Sequence, residues 1–250
     1  MTNLHVCRDP QDLYAQAAAL FTRLSREATA ARGRFTVALS GGSTPKGVYT
    51  LLSKAEISQQ IPWSRVYLFW GDERCVPPTH PESNYRMAAE TLLSHVPIPP
   101  RNIYRIPTER DPLPAASAYE AMLREAFALA DNAWPRFDLI LLGIGTDGHT
   151  ASLFPATAGL HENTRLVIAH YVDKLQAWRV TLTPPVLNNA AHVVFLVCGA
   201  DKAAPLREIL QGPLQSERLP AQLVRPAKGT LLWLVDEAAA SLLKREETKS

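Results

Sequence analysis

Residues Phe137 to Pro155 read FDLILLGIGTDGHTASLFP, and this stretch decides the fold class and the search for a site. A strongly apolar run, typical of a buried strand, ends in three glycines, an aspartate and a histidine. Buried strands of a parallel sheet deliver polar groups in this way to the open edge of an α/β fold. Asp147 and His149 are the side chains of this stretch that suit proton chemistry near neutral pH. We therefore predict an active site here, with His149 and Asp147 as candidate catalytic residues.

The composition is typical of an ordinary globular protein. A chain of 250 residues with 46% hydrophobic and 20% charged residues can bury a full core. The net charge is only +2, and the sequence shows no basic stripe that would bind nucleic acid. Three widely spaced cysteines fit neither a disulfide framework nor a zinc cluster, which favours a reducing compartment. With no signal peptide and no apolar run of about 18–20 residues, we expect a cytoplasmic protein without membrane or nucleic-acid partners.

Apolar strands alternate with helices along the chain. This order predicts an α/β fold with an open, mostly parallel twisted sheet and helices on both faces. No composition shift marks a boundary, so we expect a single domain over residues 1–250. The predicted strands are 4–6, 35–39, 66–70, 103–106, one starting at 137, 166–169, 180–182, 193–198 and 230–235. The predicted helices are 10–31, one from about 45, 83–93, 115–130, a turn to about 188, one to about 210 and one after 236.

Four of these strands end in loops that carry glycine or polar residues, at Ser40, Gly71, Gly143 and Gly199. The carboxyl ends of parallel strands lie along one edge of a sheet, which is where such folds bind ligands. We therefore expect the four loops to meet.

The loop Ser40 to Pro45 reads SGGSTP and joins a buried strand to a helix. Exposed amides at a helix start, with two hydroxyls and no bulky side chains, form a cradle for a phosphate or an oxyanion. It is not a P-loop, because Val48 stands where that motif requires a lysine. The alternative is an ordinary turn with a Ser or Thr helix cap. The candidate ligand contacts are Gly41, Gly42, Ser43 and Thr44.

Charged residues follow two other strand ends. An arginine steadied by a carboxylate, as in the sequence GDER at 71–74, can bind a phosphate or a developing oxyanion. Lys202, two residues after Ala200, offers a second cation, and Arg179 precedes a short strand. The alternative for each is a solvated surface charge. We take as candidate binding residues Asp72, Arg74, Arg179 and Lys202.

Residues 143–148 match the dinucleotide pattern G-x-G-x-x-G directly after a strand. The pattern should open a long helix, yet Pro155 lies seven residues past the last glycine. No acidic residue stands about 20 residues further on to hold a ribose. The other histidines lack metal-ligand spacing, and no G-x-S-x-G is present. We therefore predict no nucleotide-binding site, no metal site and no serine nucleophile.

Together the blocks SGGSTPKGVY, FWGDERCVPPTHPESNYRMAAETLL, FDLILLGIGTDGHTASLFP and RVTLTPPVLNNAAHVVFLVCGADKA resemble the signature blocks of the 6-phosphogluconolactonase family, in the same order. The resemblance implies a Rossmann-like, glucosamine-6-phosphate deaminase-like fold. It also implies hydrolysis of a small-molecule sugar-phosphate lactone, 6-phospho-D-glucono-1,5-lactone, to 6-phosphogluconate, the second step of the pentose phosphate pathway. No metal or organic cofactor is implied, and we expect a monomer or a weak homodimer.

In such an enzyme we expect residues 41–44, Arg74 and Lys202 to hold the phosphate, with help from Arg179. His149 then acts as the general base that activates water. Asp147 either orients the imidazole or binds a sugar hydroxyl, and the sequence leaves both roles open.

Two alternatives have the same fold. In glucosamine-6-phosphate deaminases a glutamate follows the histidine by five residues, and a tyrosine follows the Asp-Glu pair. This chain has Phe154 and Arg74 at those positions, which favours the lactonase. A sugar-phosphate sensor of a transcription regulator needs a DNA-binding module, and the single helix predicted in the first 34 residues is too little for a helix-turn-helix.

Overall fold

A computed structural model describes residues 3–244 and contains ten strands and eight α-helices within them. The strands are β1 (Asn3–Cys7), β2 (Phe35–Leu39), β3 (Val66–Trp70), β4 (Asp72–Arg74), β5 (Ile103–Tyr104), β6 (Leu139–Leu142), β7 (Val167–Val172), β8 (Ala177–Leu182), β9 (His192–Val197) and β10 (Thr230–Asp236). The helices are α1 (Pro10–Arg32), α2 (Ser43–Leu52), α3 (Ala55–Ser58), α4 (Asn84–Thr91), α5 (Pro112–Ala126), α6 (Pro184–Asn188), α7 (Ala203–Gln211) and α8 (Glu237–Ala240).

Seven strands form one sheet in the order β1-β10-β9-β6-β2-β3-β5, and every neighbouring pair is parallel. From β1 to β5 the chain advances across the sheet in one direction, and from β6 to β10 it advances in the other. Because crossovers between parallel strands are right-handed, the helices of the two halves cover opposite faces. The predicted α/β fold with an open, mostly parallel sheet is confirmed.

The central strands are apolar because both of their faces are covered. All five residues of β2 and all four of β6 are buried. Three predicted helix N-caps are also confirmed. The side chains of Asp9, Ser83 and Asp236 each accept a backbone N–H bond at the start of α1, α4 and α8, respectively.

Strands β2 and β6 are neighbours from which the chain leaves in opposite directions, to β3 on one side and to β9 on the other. Open α/β sheets bind ligands at such a switch point, in the crevice beyond the carboxyl ends of the strands. The SGGSTP loop follows β2 and the GIGTDGH segment follows β6. The topology thus places these two candidate loops on the two sides of one crevice.

A second, antiparallel sheet has the order β4-β8-β7. Residues 72–74, which we expected in the loop after the strand 66–70, instead form strand β4. The reason is a distant partner, since Asp72 pairs with Thr181 and Arg74 with Arg179. The short strands predicted at 166–169 and 180–182 lie at the open end of the hairpin β7–β8, where Val167 pairs with Leu182 and Ala169 with Val180.

Within residues 3–244 no helix is both long enough and apolar enough to cross a membrane.

Candidate active site

His149 and Asp147 lie together directly after β6. The imidazole Nδ1 is 2.5 Å from Asp147 Oδ1, and the His149 backbone N–H also donates to that carboxylate, at 3.3 Å. An ionised carboxylate only accepts hydrogen bonds, so the proton of a neutral imidazole sits on Nδ1 and Nε2 keeps its lone pair. Phe154 stacks on the ring with 4.1 Å between centroids. A side chain on Gly145 would overlap the imidazole, which explains the glycine there.

Asp147 has a second partner that the sequence did not indicate. Lys174, in the turn between β7 and β8, places its Nζ 2.9 Å from Asp147 Oδ2. The hydrogen bond from His149, aided by that from Lys174, holds the pKa of the Asp147 carboxyl well below its usual range. The carboxylate is therefore ionised and bound through both oxygens, which matches the role of orienting His149.

Asp72 connects this segment with the next loop. The Asp72 carboxylate is buried and accepts a hydrogen bond from the Ser152 hydroxyl at 2.6 Å. The Asn84 amide donates to the Asp72 carbonyl at 3.0 Å and lies against Gly41 of the SGGSTP loop. Three of the four predicted loops are thus in contact, as expected. Asp72 thus connects the loops, through its carboxylate to Ser152 and through its carbonyl to Asn84.

Glu73, next to Asp72, supports the start of α4. Its buried carboxylate accepts backbone N–H bonds from Arg74, Asn84 and Tyr85, each at 2.8 Å. Burial raises the pKa of Glu73, while these hydrogen bonds act in the opposite direction. The strand that carries Arg74 is fixed to α4 by this carboxylate.

Arg74 and Arg179 are direct cross-strand partners on β4 and β8. Each guanidinium donates to a carbonyl, Arg74 to Glu82 at 2.8 Å and Arg179 to Trp178 at 3.1 Å, and no carboxylate in residues 3–244 forms an ion pair with either. Burial, and then the charge of Arg74, lower the pKa of Arg179. Two adjacent cations repel each other across paired strands. Such a pair becomes favourable when an anion binds between them.

The SGGSTP loop opens α2 earlier than expected, at Ser43 rather than near Pro45. Gly42 occupies the N-cap with φ of 103°, a conformation that favours glycine, and no side chain caps the helix. The predicted alternative, a Ser or Thr cap, is therefore wrong. The open amides at this ten-residue helix start suit an anion.

Two tyrosine hydroxyls hold the strand ends beside this crevice. The Tyr49 hydroxyl accepts from the Ser40 N–H at 3.0 Å and donates to the Ser40 carbonyl at 2.9 Å. Tyr119 makes the same pair of bonds with Trp70, at 2.9 Å and 3.0 Å. Both strand ends are therefore fixed by buried side chains.

The fourth loop follows β9 and starts at Cys198, where burial raises the pKa of the thiol to about 12. The next residue, Gly199, donates its backbone N–H to the Asp236 carboxylate at 3.1 Å. Lys202 lies at the start of α7 with its Nζ 3.2 Å from Asp201. The structure thus directs the Lys202 ammonium to its neighbouring carboxylate.

Sequence reasoning missed Lys174, Ser152 and Asn84. Ser152, three residues after His149, could have been singled out as a polar residue in an otherwise apolar segment. No local sequence pattern indicates Lys174, because only the antiparallel hairpin places it next to Asp147. His170, predicted to have a surface or packing role, contacts the carbonyl of Ser152 through Nε2 at 2.7 Å.

The roles of the ten predicted site residues stay predictions. Across the described chain, His, Cys, Asp and Glu side chains form no group of three or more that could hold a metal ion.

The sequence profile of one family, described as glucosamine-6-phosphate isomerases/6-phosphogluconolactonase, matches residues 8–233. The chain belongs to this family. It is 43% identical over 235 residues to a 6-phosphogluconolactonase of Synechocystis sp., covering 94% of this chain and 95% of that protein.

Solved structures agree with the fold. The 6-phosphogluconolactonase of Trypanosoma brucei superposes with a TM-score of 0.86 at 28% identity, over 98% of this chain and 99% of that one. A monomeric glucosamine-6-phosphate deaminase superposes with a TM-score of 0.79 at 21% identity, over 96% of this chain and 99% of that one. The second likeness concerns the fold alone, and it confirms that the fold is deaminase-like.

Proposed function

We propose that this protein hydrolyses 6-phospho-D-glucono-1,5-lactone to 6-phospho-D-gluconate, in the oxidative branch of the pentose phosphate pathway. The observation that carries the proposal is the pairing of two sites. A His149–Asp147 dyad with a free imidazole nitrogen is joined, through the Ser152–Asp72 hydrogen bond, to strand β4, which together with β8 carries an unneutralised arginine pair. The family and the name of the 43% identical relative support the same reaction.

The substrate phosphate is a dianion, and Arg74 with Arg179 supplies two positive charges on adjacent strands. The open amides and hydroxyls of residues 41–44 supply further donors at the start of α2. Lys202 joins them by turning from Asp201 toward the bound anion. This division leaves the His149 side of the crevice for the lactone carbonyl.

His149 acts as the general base. Water attacks the lactone carbonyl while Nε2 takes one of its protons, and the tetrahedral intermediate carries the negative charge on the former carbonyl oxygen. When the bond between the carbonyl carbon and the ring oxygen breaks, the imidazolium returns the proton to that oxygen. Asp147 keeps Nδ1 protonated and stabilises the imidazolium as it forms.

The deaminase alternative requires an acid or base next to the histidine. Here the ring of Phe154 stacks on His149 and leaves an apolar surface at that position. We therefore favour water activation over ring opening of an amino sugar.

A coupled assay tests the proposal. Glucose 6-phosphate dehydrogenase generates the lactone in place, and 6-phosphogluconate is followed with and without the protein. We expect the protein to accelerate its appearance clearly beyond spontaneous hydrolysis. A rate equal to the spontaneous one would refute the proposed function.

We further propose that the protein acts in the cytoplasm as one domain over residues 1–250, as a monomer or weak homodimer and without a metal or organic cofactor. Light scattering after size exclusion measures the oligomeric state, and the coupled assay after treatment with EDTA tests the independence from metal.

A further inference from the structure

Lys174 reaches the catalytic dyad from a distant part of the chain. Its Nζ lies 2.9 Å from Asp147 Oδ2, whereas His149 occupies Oδ1 of the same carboxylate. The Asp147 side chain is 20% exposed and that of Lys174 is 66% exposed. The two carboxylate oxygens therefore have different partners, one being the imidazole and the other an ammonium on the hairpin.

The turn that carries Lys174 is held in shape by its own contacts. Gln176 adopts a left-handed φ of 48°, and its amide donates to the Asp173 carbonyl at 2.7 Å and accepts from the Tyr171 hydroxyl at 3.2 Å. The Tyr171 and Trp178 rings pack edge to face across the two strands, 5.9 Å apart. Such a turn fixes the Lys174 backbone, so that only the side-chain torsions of this lysine are ordered when it binds Asp147.

The same antiparallel sheet carries the arginine pair, because β8 contributes Arg179 and pairs with β4. The hairpin therefore touches both halves of the crevice, with Arg179 along the strand and Lys174 at its tip.

We propose that Lys174 is a positioning residue for the reaction, which fixes the Asp147 carboxylate so that His149 presents Nε2 to water. This assignment rests on the proposed function. An aspartate bound through one oxygen rotates about its terminal torsion, and the imidazole moves with it. With Lys174 on Oδ2, both oxygens are held and the carboxylate stays ionised. In this scheme Lys174 contacts neither the attacking water nor the substrate. Its removal therefore affects turnover and leaves phosphate binding intact.

The test compares three variants in the coupled assay. Lys174→Met removes the ammonium but keeps the apolar stem, Lys174→Arg keeps the charge and the donors, and Lys228→Met changes an exposed lysine before β10, at the opposite edge of the sheet. We expect Lys174→Met to lower kcat about 5- to 20-fold with KM changed less than twofold. This loss lies between the small effect of an exposed ion pair and the ~10²-fold loss of a misplaced catalytic group. Lys174→Arg should recover most of kcat, and Lys228→Met should match the wild type.

A second measurement is independent of turnover. The NMR signal of the proton on His149 Nδ1 is assigned by its absence from the spectrum of His149→Asn. This signal should shift in Lys174→Met, and in Lys174→Arg it should return to its wild-type position.

The outcomes separate the two proposals. If the wild type hydrolyses the lactone and Lys174→Met matches it in kcat, the positioning role is wrong and the lactonase stands. If the wild type is inactive, the proposed function fails and the NMR signal alone decides. A shifted signal then supports the positioning of the dyad, and an unchanged one overturns it.

Discussion

The hydroxyl of Ser152 donates a 2.6 Å hydrogen bond to the carboxylate of Asp72, and both residues are buried. Ser152 lies three residues after His149, and Asp72 lies two residues before Arg74. This hydrogen bond therefore joins the segment that carries His149, the proposed general base, to the strand that carries Arg74.

Replacing the donor should weaken the fold. Ser152→Ala leaves the buried Asp72 carboxylate short of one partner, and hydrogen bonds to charged groups contribute roughly 1.5–3 kcal/mol. We expect the free energy of unfolding in urea to fall by about that amount. Ser117→Ala, at an exposed serine of α5, is the control. Equal unfolding midpoints for Ser152→Ala and the wild type would show that the bond contributes nothing.

Removing His149, the proposed general base, should affect turnover and spare binding. His149→Asn keeps a polar side chain of moderate size but cannot take the proton from water. Since general base catalysis contributes about 10²–10⁴-fold, kcat should drop within that range while KM changes little. The rate is measured above the spontaneous hydrolysis of the lactone. Turnover close to that of the wild type would exclude His149 as the base.

The arginine pair should show opposite effects on binding and on stability. Arg179→Met removes a charge-assisted contact worth roughly 1.5–3 kcal/mol, so KM should rise about 10- to 150-fold with kcat largely kept. It also relieves the repulsion with Arg74, so the free protein should resist urea at least as well as the wild type. Arg101→Met, at an exposed arginine, controls for loss of net charge. An unchanged KM would remove Arg179 from the phosphate site.

The dyad predicts a particular dependence of stability on pH. The folded-state pKa of Asp147 is depressed, mainly by the hydrogen bond from His149. Its contribution to stability is therefore complete above the unfolded pKa of about 3.9 and is lost as the pH falls below that value. The difference in unfolding free energy between the wild type and Asp147→Asn should be smaller below about pH 4 than at about pH 5. Urea titrations across this range measure it, with Asp131→Asn as the exposed control. A difference that grows on acidification would contradict the low pKa.

The parallel sheet could be predicted because its signals are local. The buried runs at Phe35–Leu39 and Val66–Trp70 coincide with β2 and β3, and the caps at Asp9, Ser83 and Asp236 mark helix starts. Parallel strands end along one edge, so the meeting of the candidate loops followed from the strand order alone.

The third strand of the antiparallel sheet, β4, could not be predicted because its partner β8 lies far along the chain. Asp72–Arg74 is too short to show a period, and its pairing depends on β8 much later in the chain. The contact between Lys174 and Asp147 depends in turn on that hairpin. The direction of the Lys202 side chain, toward Asp201, likewise depends on local packing that no pattern encodes.

The pairing of β4 with β8 has a consequence for the order of assembly. Gly71 and Thr181 are in contact across 110 residues of chain, and Leu182 donates to the Gly71 carbonyl at 2.8 Å. During synthesis, a ribosome that has completed β7 has already added His149 and Asp147, while Arg179 has not yet been added. Closing so long a loop costs conformational entropy, and this cost is smaller once the intervening strands have folded. A chain stalled before β8 therefore contains His149, Asp147 and Arg74 but lacks the strand that pairs Arg179 with Arg74.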